Sequence, residues 1–359
     1  MPKLSSQFAR LRQTCCLGLP SQILMPELFE ELHGIINADR FHFAWSDRLG
    51  NIVNGYFEKP NAQALAYFKE NSEQFQKDAG LSYRQALLFG KPTGNFRWPF
   101  KAGFELTESH QALFGNLGLE HCLDGVVRDA YGPLGQIFML RRTGEPDFSA
   151  EDESNLGQAL PYIAHALSSQ GASATSFAGT GDSALMVFDA FGKLYYQSSR
   201  ARELSFYALA QRDSSDHWQE GLGMEQIQAA IASLFVEVKR AVDAHRAGFG
   251  PPAWTLSNAW GEFQLRAYEL QQDGSNAQSF GVLLERKTPI EVRLLQRVKS
   301  LSLSNRQREV CYLVARGVPS VDIAHMLNIS ATTLKEHTQT IYRKLNVKNR
   351  EDLVRLILR

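Results

Sequence analysis

The chain has 359 residues, 44% of them hydrophobic and 21% charged, with 38 Lys and Arg against 38 Asp and Glu. That length exceeds one ordinary core and the composition is globular, so two or three packed domains are expected. No apolar run approaches the ~18 residues of a bilayer span, and the cationic start meets Pro20, Pro26 and acidic residues before any cleavage-like site, so a cytoplasmic chain with no membrane partner is expected.

In chain order, "MPELFEELHGII" (25–36) has helical spacing, "RFHFAW" (40–45) and "IVNGYF" (52–57) form a hairpin across "SDRLGN", and "NAQALAYFKENSEQF" (61–75) returns to helix. "LDGVVRDAYGPLGQIFMLRR" (123–142) then reads as paired strands around a Gly-Pro turn, and "FSAEDESNLGQALPYIAHAL" (148–167) as a capped exit helix. This order resembles a GAF domain, an α/β sensory fold, over residues 1–167. Phe41, Phe43 and Trp45 alternate along the first strand, and Tyr56, Phe96, Trp98, Phe100 and Phe104 add further rings. Such rings build the core of an α/β domain or line a pocket. Phe41, Phe43, Trp45, Tyr56 and Trp98 are the candidates for lining one.

"SSQGASATSFAGTGDS" (168–183) is rich in small and turn-forming residues and reads as a linker; its GTG lacks the lysine of a phosphate-binding loop. Beyond it, "SALMVFDAFGKLYYQSSRARELSFYAL" gives strand, Asp-x-x-Gly turn, strand and helix, and "PAWTLSNAWGEFQLRAYELQ" and "QSFGVLLERK" supply three more strands. Five strands with intervening helices resemble a PAS domain over residues 184–287. "PIEVRLLQRVKSLSLS" is basic and amphipathic, a connector helix over 288–302 that either packs or transmits a signal.

The C-terminal part carries the most specific pattern. In "LSLSNRQREVCYLVARGVPSVDIAHMLN", Ser304 and Gln307 have capping-box spacing, and Val310, Leu313 and Val314 form a stripe that stops at Gly317. Pro319 suits the start of a second helix with Ile323, Ala324 and Leu327 inward, and Asn328 tolerates the positive φ of a tight turn. In "ISATTLKEHTQTIYRKL", Ser330 is an N-cap, Leu334, Thr338, Ile341 and Leu345 form the inward stripe, and Asn346 ends the helix. Residues 303–359 resemble the LuxR-type (GerE/FixJ/NarL-type) DNA-binding domain, through "LSNRQREV", "ARG", "DIAHMLNIS" and "TTLKEHTQTIYRKLNVKNR" in order. The resemblance implies four helices, a helix-turn-helix unit from Ser320 to Gln339, and a recognition helix over most of Thr332 to Leu345. It places Lys335, Glu336 and Gln339 nearest base edges; Arg343, Lys344, Thr332 and Thr333 are assigned to the phosphate backbone. Thr338 departs from the family, which has an apolar residue there.

The implied whole is a multidomain α+β chain, two α/β sensory domains followed by an all-α four-helix domain. Charge fits it: residues 301–359 hold ten Lys or Arg and five Asp or Glu, a net of +5, which leaves −5 on residues 1–300. A basic segment neutralises phosphates and an acidic one is repelled by them, so contact with double-stranded DNA is expected at the C-terminal end. No metal-binding His pair, nucleophile elbow or Walker loop occurs, so no enzyme is expected and no cofactor is named. Cys15, Cys16, Cys122 and Cys311 lack zinc spacing, with Cys311 on an apolar helix face. A phosphorylated receiver is disfavoured because the first acidic residue is Glu27, and an acyl-homoserine-lactone sensor because no Asp-Pro occurs. The expected function is one-component transcription regulation with a small-molecule effector. The alternative is a regulator whose sensory domains bind a protein and no metabolite. A homodimer on an imperfect palindrome is expected because "REDLVRLILR" offers more apolar surface than a small helical unit covers, and an RNA polymerase contact completes the expected partners.

Overall fold

The computed structural model describes residues 4–59, 62–80, 83–89, 96–97, 103–168, 177–209, 232–236, 238–240, 242–243, 251–258, 260–271 and 278–358. Its first sheet contains β1 (Arg40–Ser46), β2 (Ile52–Phe57), β3 (Phe96–Arg97), β4 (Leu119–Asp129) and β5 (Gly132–Arg142), in the order β2-β1-β5-β4-β3. Its second contains β6 (Phe177–Asp189), β7 (Leu194–Gln197), β8 (Ala253–Asn258), β9 (Gly261–Gln271) and β10 (Gln278–Pro289), in the order β7-β6-β10-β9-β8. Counted within each sheet, the two orders are the same, and every pairing is antiparallel.

The opening hairpins share their turn chemistry. Asp47 Oδ1 accepts from the amides of Leu49 and Asn51 at 2.9 and 2.8 Å, and Gly50 takes φ +79°. Asp189 Oδ1 accepts from Phe191 and Lys193, both at 2.8 Å, and Gly192 takes φ +89°. In each the aspartate satisfies two turn amides, and the glycine three residues later adopts a conformation that a Cβ would disfavour.

Strand alternation divides the first sheet into two faces. Phe41, Trp45, Leu123, Val127, Ile137 and Met139 lie in one core with α1 (Leu4–Cys15), α2 (Ser21–His33) and α6 (Ala150–Ser168). Cys122 and Leu140 face the other way, towards α3 (Ala62–Ala79), α4 (Tyr83–Phe89) and α5 (Glu108–Leu113), with Phe75, Phe104 and Phe114. Each fully buried side chain of this size contributes about 1.5–3 kcal/mol relative to exposure.

Two details differ from the sequence reading. Gly132 and Pro133 open β5, and the turn is made at Ala130 and Tyr131, where Asp129 Oδ1 accepts from Tyr131 N at 2.8 Å. Residues 177–183 of the expected linker are strand: Phe177, Ala178 and Gly179 pair with Pro289, Thr288 and Lys287. Small side chains suggested a linker, and a strand partner about a hundred residues away overrode them.

The second sheet packs on α7 (Ala201–Leu209), and aromatic rings join it to the first. Trp45 meets Trp260 edge-on at 5.9 Å, Tyr56 lies 6.4 Å from Tyr207 and 6.3 Å from Trp260, and Tyr207 and Trp260 are 4.5 Å apart. β10 passes through Pro289 into α8 (Ile290–Ser300), whose Val292, Leu294, Leu295 and Val298 are buried. Polar contacts hold α8 to α2: Gln296 Nε2 donates to Glu27 Oε1 at 2.6 Å, and Lys299 pairs with Glu31. No helix among the described residues is long and apolar enough to cross a membrane.

Candidate nucleic-acid interface

The last four helices are set by their ends. α9 (Asn305–Ala315) begins with a complete capping box, Ser304 Oγ accepting from Gln307 N and Gln307 Oε1 accepting from Ser304 N at 3.1 Å. α10 (Ser320–Met326) follows Pro319, and Asn328 takes φ 48° in the turn to α11 (Ala331–Leu345). Ser330 Oγ accepts from Thr333 N at 3.0 Å, and Asn346 ends α11 in the left-handed region at φ 53°. α12 (Arg350–Leu358) starts where Asn349 Oδ1 accepts from Asp352 N at 2.9 Å. These caps satisfy amides and carbonyls that a helix end leaves open, so short helices keep fixed lengths.

Val310, Cys311, Ile323, Leu334, Ile341, Leu353 and Ile357 are the buried centre of this unit. Burial pushes the Cys311 thiol up to about 12, which makes it an inert core residue. Thr338 sits in the inward stripe half-buried, and its hydroxyl donates to Leu334 O at 2.9 Å. Arg306, which the sequence reading did not single out, braces the turn: it pairs with Glu309 at 2.6 Å and donates to the carbonyl of Leu327. Its signal in sequence is weak, because a charged residue at helical spacing reads as solvated.

Leu334 and Ile341 turn α11 so that its other side faces out. Lys335, Glu336, Gln339 and Arg343 are exposed there, with Thr332 at the helix start and Lys344 near its end. Two backbone candidates have intramolecular roles. Thr333 Oγ1 shares a hydrogen bond with Ser330 Oγ at 2.9 Å, and Lys344 Nζ donates to Gln307 Oε1 at 2.9 Å. The exposed row combines donors and acceptors suited to base edges, and the free amides of the α11 N-terminus face the same end as Thr332.

Residues 301–357 match the family described as "Bacterial regulatory proteins, luxR family". The chain carries a LuxR-family helix-turn-helix domain. Within that domain the chain is similar to YhjB of Escherichia coli, by name an HTH-type transcriptional regulator, with 49% identity over 49 residues that make up 14% of this chain and 24% of that one. It is also similar to the HTH-type transcriptional regulator MalT of Vibrio cholerae, 37% identical over 57 residues, 16% of this chain and 6% of that one. The chain therefore spans a quarter or less of these relatives. The solved phage VqmA-DPO complex aligns with 50% of this chain and 82% of its own at 21% identity and a TM-score of 0.19, too poor a superposition to relate the folds.

The apolar side of the LuxR-family domain's α12 is covered in part within the chain. Leu353 and Ile357 are 0% and 2% exposed, packed towards α8 and α9, and Leu356 at 41% is the larger remaining surface. Of the apolar residues that suggested a dimer through this helix, Leu353 and Ile357 are taken up within the chain and Leu356 stays exposed.

Phe41, Phe43, Trp45 and Tyr56 share one face of the first sheet and lie in the same core. Phe41 packs on Phe29 at 5.4 Å, Trp45 donates from Nε1 to Ser21 Oγ at 2.9 Å, and Tyr56 faces Phe29, Tyr207 and Trp260. These three build the core and the junction between the sheets. Trp98 lies outside the described residues. On the opposite face a cavity of about 120 Å³ has His42, Phe43, Ala44, Phe75, Cys122 and Phe138 among its lining residues. Phe43, 5.0 Å from Trp45 in the same core, is the candidate that also borders this cavity, whereas His42 and Ala44 belong to the other phase of β1, which has no run of large rings to mark it. Among the described residues no group of three or more His, Cys, Asp or Glu is placed to hold a metal.

Proposed function

We propose that this chain is a one-component transcription regulator that reads double-stranded DNA through α11 and adjusts its affinity through two N-terminal sensory domains, GAF-like over residues 1–167 and PAS-like over 184–287. The observation that carries the reading is the exposed row of Lys335, Glu336, Gln339 and Arg343 on a helix fixed at both ends, in a segment of net charge +5. Lys335 donates to guanine O6 and N7, Gln339 pairs with adenine N6 and N7, Glu336 accepts from cytosine N4, and Arg343, Lys344, Thr332 and Thr333 hold the backbone. Regulation by a small molecule, contact with RNA polymerase and a cytoplasmic location belong to this reading. So does a homodimer on an imperfect palindrome, with half-sites about 34 Å apart. Selection of duplexes from a random pool by the full chain tests it. An enriched pseudo-palindrome bound with a steep salt slope is the expected result, and equal retention of all sequences overturns it.

One observation favours a second reading, in which the sensory domains bind a protein and no metabolite. The outer face of the second sheet leaves Leu185 and Tyr196 51% and 74% exposed, and neighbouring Tyr268 and Leu270 are each 38% exposed. Native mass spectrometry of the purified protein separates the readings, since a retained small mass accompanies only the first.

A further inference from the structure

The cavity of the first sheet domain has a chemistry that selects its occupant. Its wall is mainly apolar, with Phe138 beside His42 in the sheet and Phe68, Phe75 and Leu113 from the helices. Two cations, Arg40 and Lys59, reach its edge, but both are committed to one carboxylate: Arg40 Nε lies 2.9 Å from Asp39 Oδ2 and Lys59 Nζ 3.3 Å from Oδ1. Arg142 adds a third contact to Asp39 at 2.7 Å, and these donors hold that carboxyl at about 2 despite its desolvation. An anionic guest would have to compete with Asp39 for them.

His42 is different. Its ring lines the cavity, edge-on to Phe57 at 4.8 Å, and its Nε2 is shut off from solvent with no hydrogen-bond partner. Burial, reinforced by the charge of Arg40, lowers its pKa to about 3, so the imidazole stays neutral at physiological pH. Buried polar atoms in proteins are nearly always paired, and one that is unpaired in the wall of a cavity marks where a partner arrives. The space, about 120 Å³, compares with the roughly 150 Å³ of an apolar cavity that takes a benzene ring.

We propose that this cavity binds a small uncharged molecule of about one ring, mostly apolar, that places a single hydrogen-bonding group on His42 Nε2. For its effect on DNA binding the proposal rests on the sensor reading above. The route is short, because β1 carries His42 on the cavity face and Trp45, which touches Trp260 of the second sheet, on the other.

The test is ¹⁹F NMR of the full chain with 4-fluorophenol, and with 4-fluorobenzoate as its charged counterpart. The phenol is expected to saturate one site and the benzoate to show none over the same range. His42→Phe keeps a ring and removes the nitrogen, and should weaken the phenol about tenfold, the worth of one hydrogen bond. Ala64→Leu, at a lining position, should abolish binding by filling the space. Amide spectra report whether each variant folds, and if Ala64→Leu does not, His42→Phe decides. The proposal is overturned by no saturable phenol binding, by benzoate binding as tightly as phenol, or by an unchanged affinity in folded His42→Phe. Anisotropy on labelled DNA with the same samples separates the two readings. Phenol binding without any change in DNA affinity keeps the site and removes this route of sensing, and absence of phenol binding removes the site while leaving DNA recognition standing.

Discussion

Thr338 shows how a residue that breaks a family's pattern can still fit. Its methyl side joins the apolar stripe while its hydroxyl is satisfied by Leu334 O, so no polar group is left unpaired. The residues on the outer side follow different rules in the proposed reading, where their partners are supplied by DNA. Gln339→Ala or Glu336→Ala should relax preference at one base pair and cost on the order of 1–3 kcal/mol at the operator, with non-specific affinity little changed. Arg343→Ala should weaken all sequences alike and reduce the salt slope by about one unit, and titrations at several salt concentrations distinguish these outcomes. A shift in base preference from Arg343→Ala alone would reverse the assignment. In the first sheet, Asp124 accepts from Gln136 Nε2, and burial pushes its carboxyl up to about 8. The folded chain thus keeps a proton that the unfolded chain releases near pH 4, so this residue's contribution to stability is full below about pH 4 and is lost as pH rises towards 8. Asp124→Asn should remove that slope and raise stability at pH 7 by ~1–3 kcal/mol, below the ~4 kcal/mol ceiling for three units. Denaturant midpoints at pH 5 and pH 8 check it, and an unchanged slope would show that Asp124 is ionised when folded.

Elements were legible where their signals were local. The caps at Ser304, Ser330 and Asn346, the positive φ of Asn328 and the stripes through Val310 and Leu334 all appear in the structure because each depends on residues within one or two turns. Ser304→Ala removes the hydroxyl half of the α9 box and leaves Gln307 accepting from the backbone amide alone, and should destabilise the helical domain by about 1 kcal/mol in thermal unfolding. An unchanged midpoint would mean that Lys344 and its contact to Gln307 hold the helix end unaided. Other features were hidden because their causes are distant in sequence. The strand character of residues 177–183 comes from β10, and the cavity arises where helices α3 to α5 meet a sheet whose strands were read one at a time. The common order of the two sheets was hidden for the same reason. A local trace of the repeat is Asp-x-x-Gly at Asp47 to Gly50 and again at Asp189 to Gly192, although Asp129 to Gly132 has the same spacing at the β4–β5 turn. The aromatic alternation of β1 was read correctly as a strand, but its large phase faces the core and the histidine phase faces the cavity.

At the scale of the molecule, the N-terminal part and the LuxR-family domain are joined by a polar contact. Residues 1–300 carry −5 and residues 301–359 carry +5. Arg12 donates to Glu309 of α9 at 2.9 Å across that division, while Lys299 of α8 pairs with Glu27 and Glu31 within residues 1–300. An acidic body held next to the basic domain opposes phosphate approach. Residues 290–359 fused to a dimerisation element should therefore bind the operator more tightly than the intact chain, with α8 retained because it covers Leu353 and Ile357. Equal affinity of the two, with and without cell extract, would show that regulation does not act through affinity. The contact between Arg12 and Glu309 also imposes an order in time. The two residues are 297 apart, and at ~5–20 residues per second of synthesis the first helix waits roughly 15–60 s for its partner in α9. For that interval α1 has only the N-terminal sheets and helices to pack on, so that part of the nascent chain can fold before the LuxR-family domain exists, and the union of the two closes only after residue 309 has cleared the ribosome.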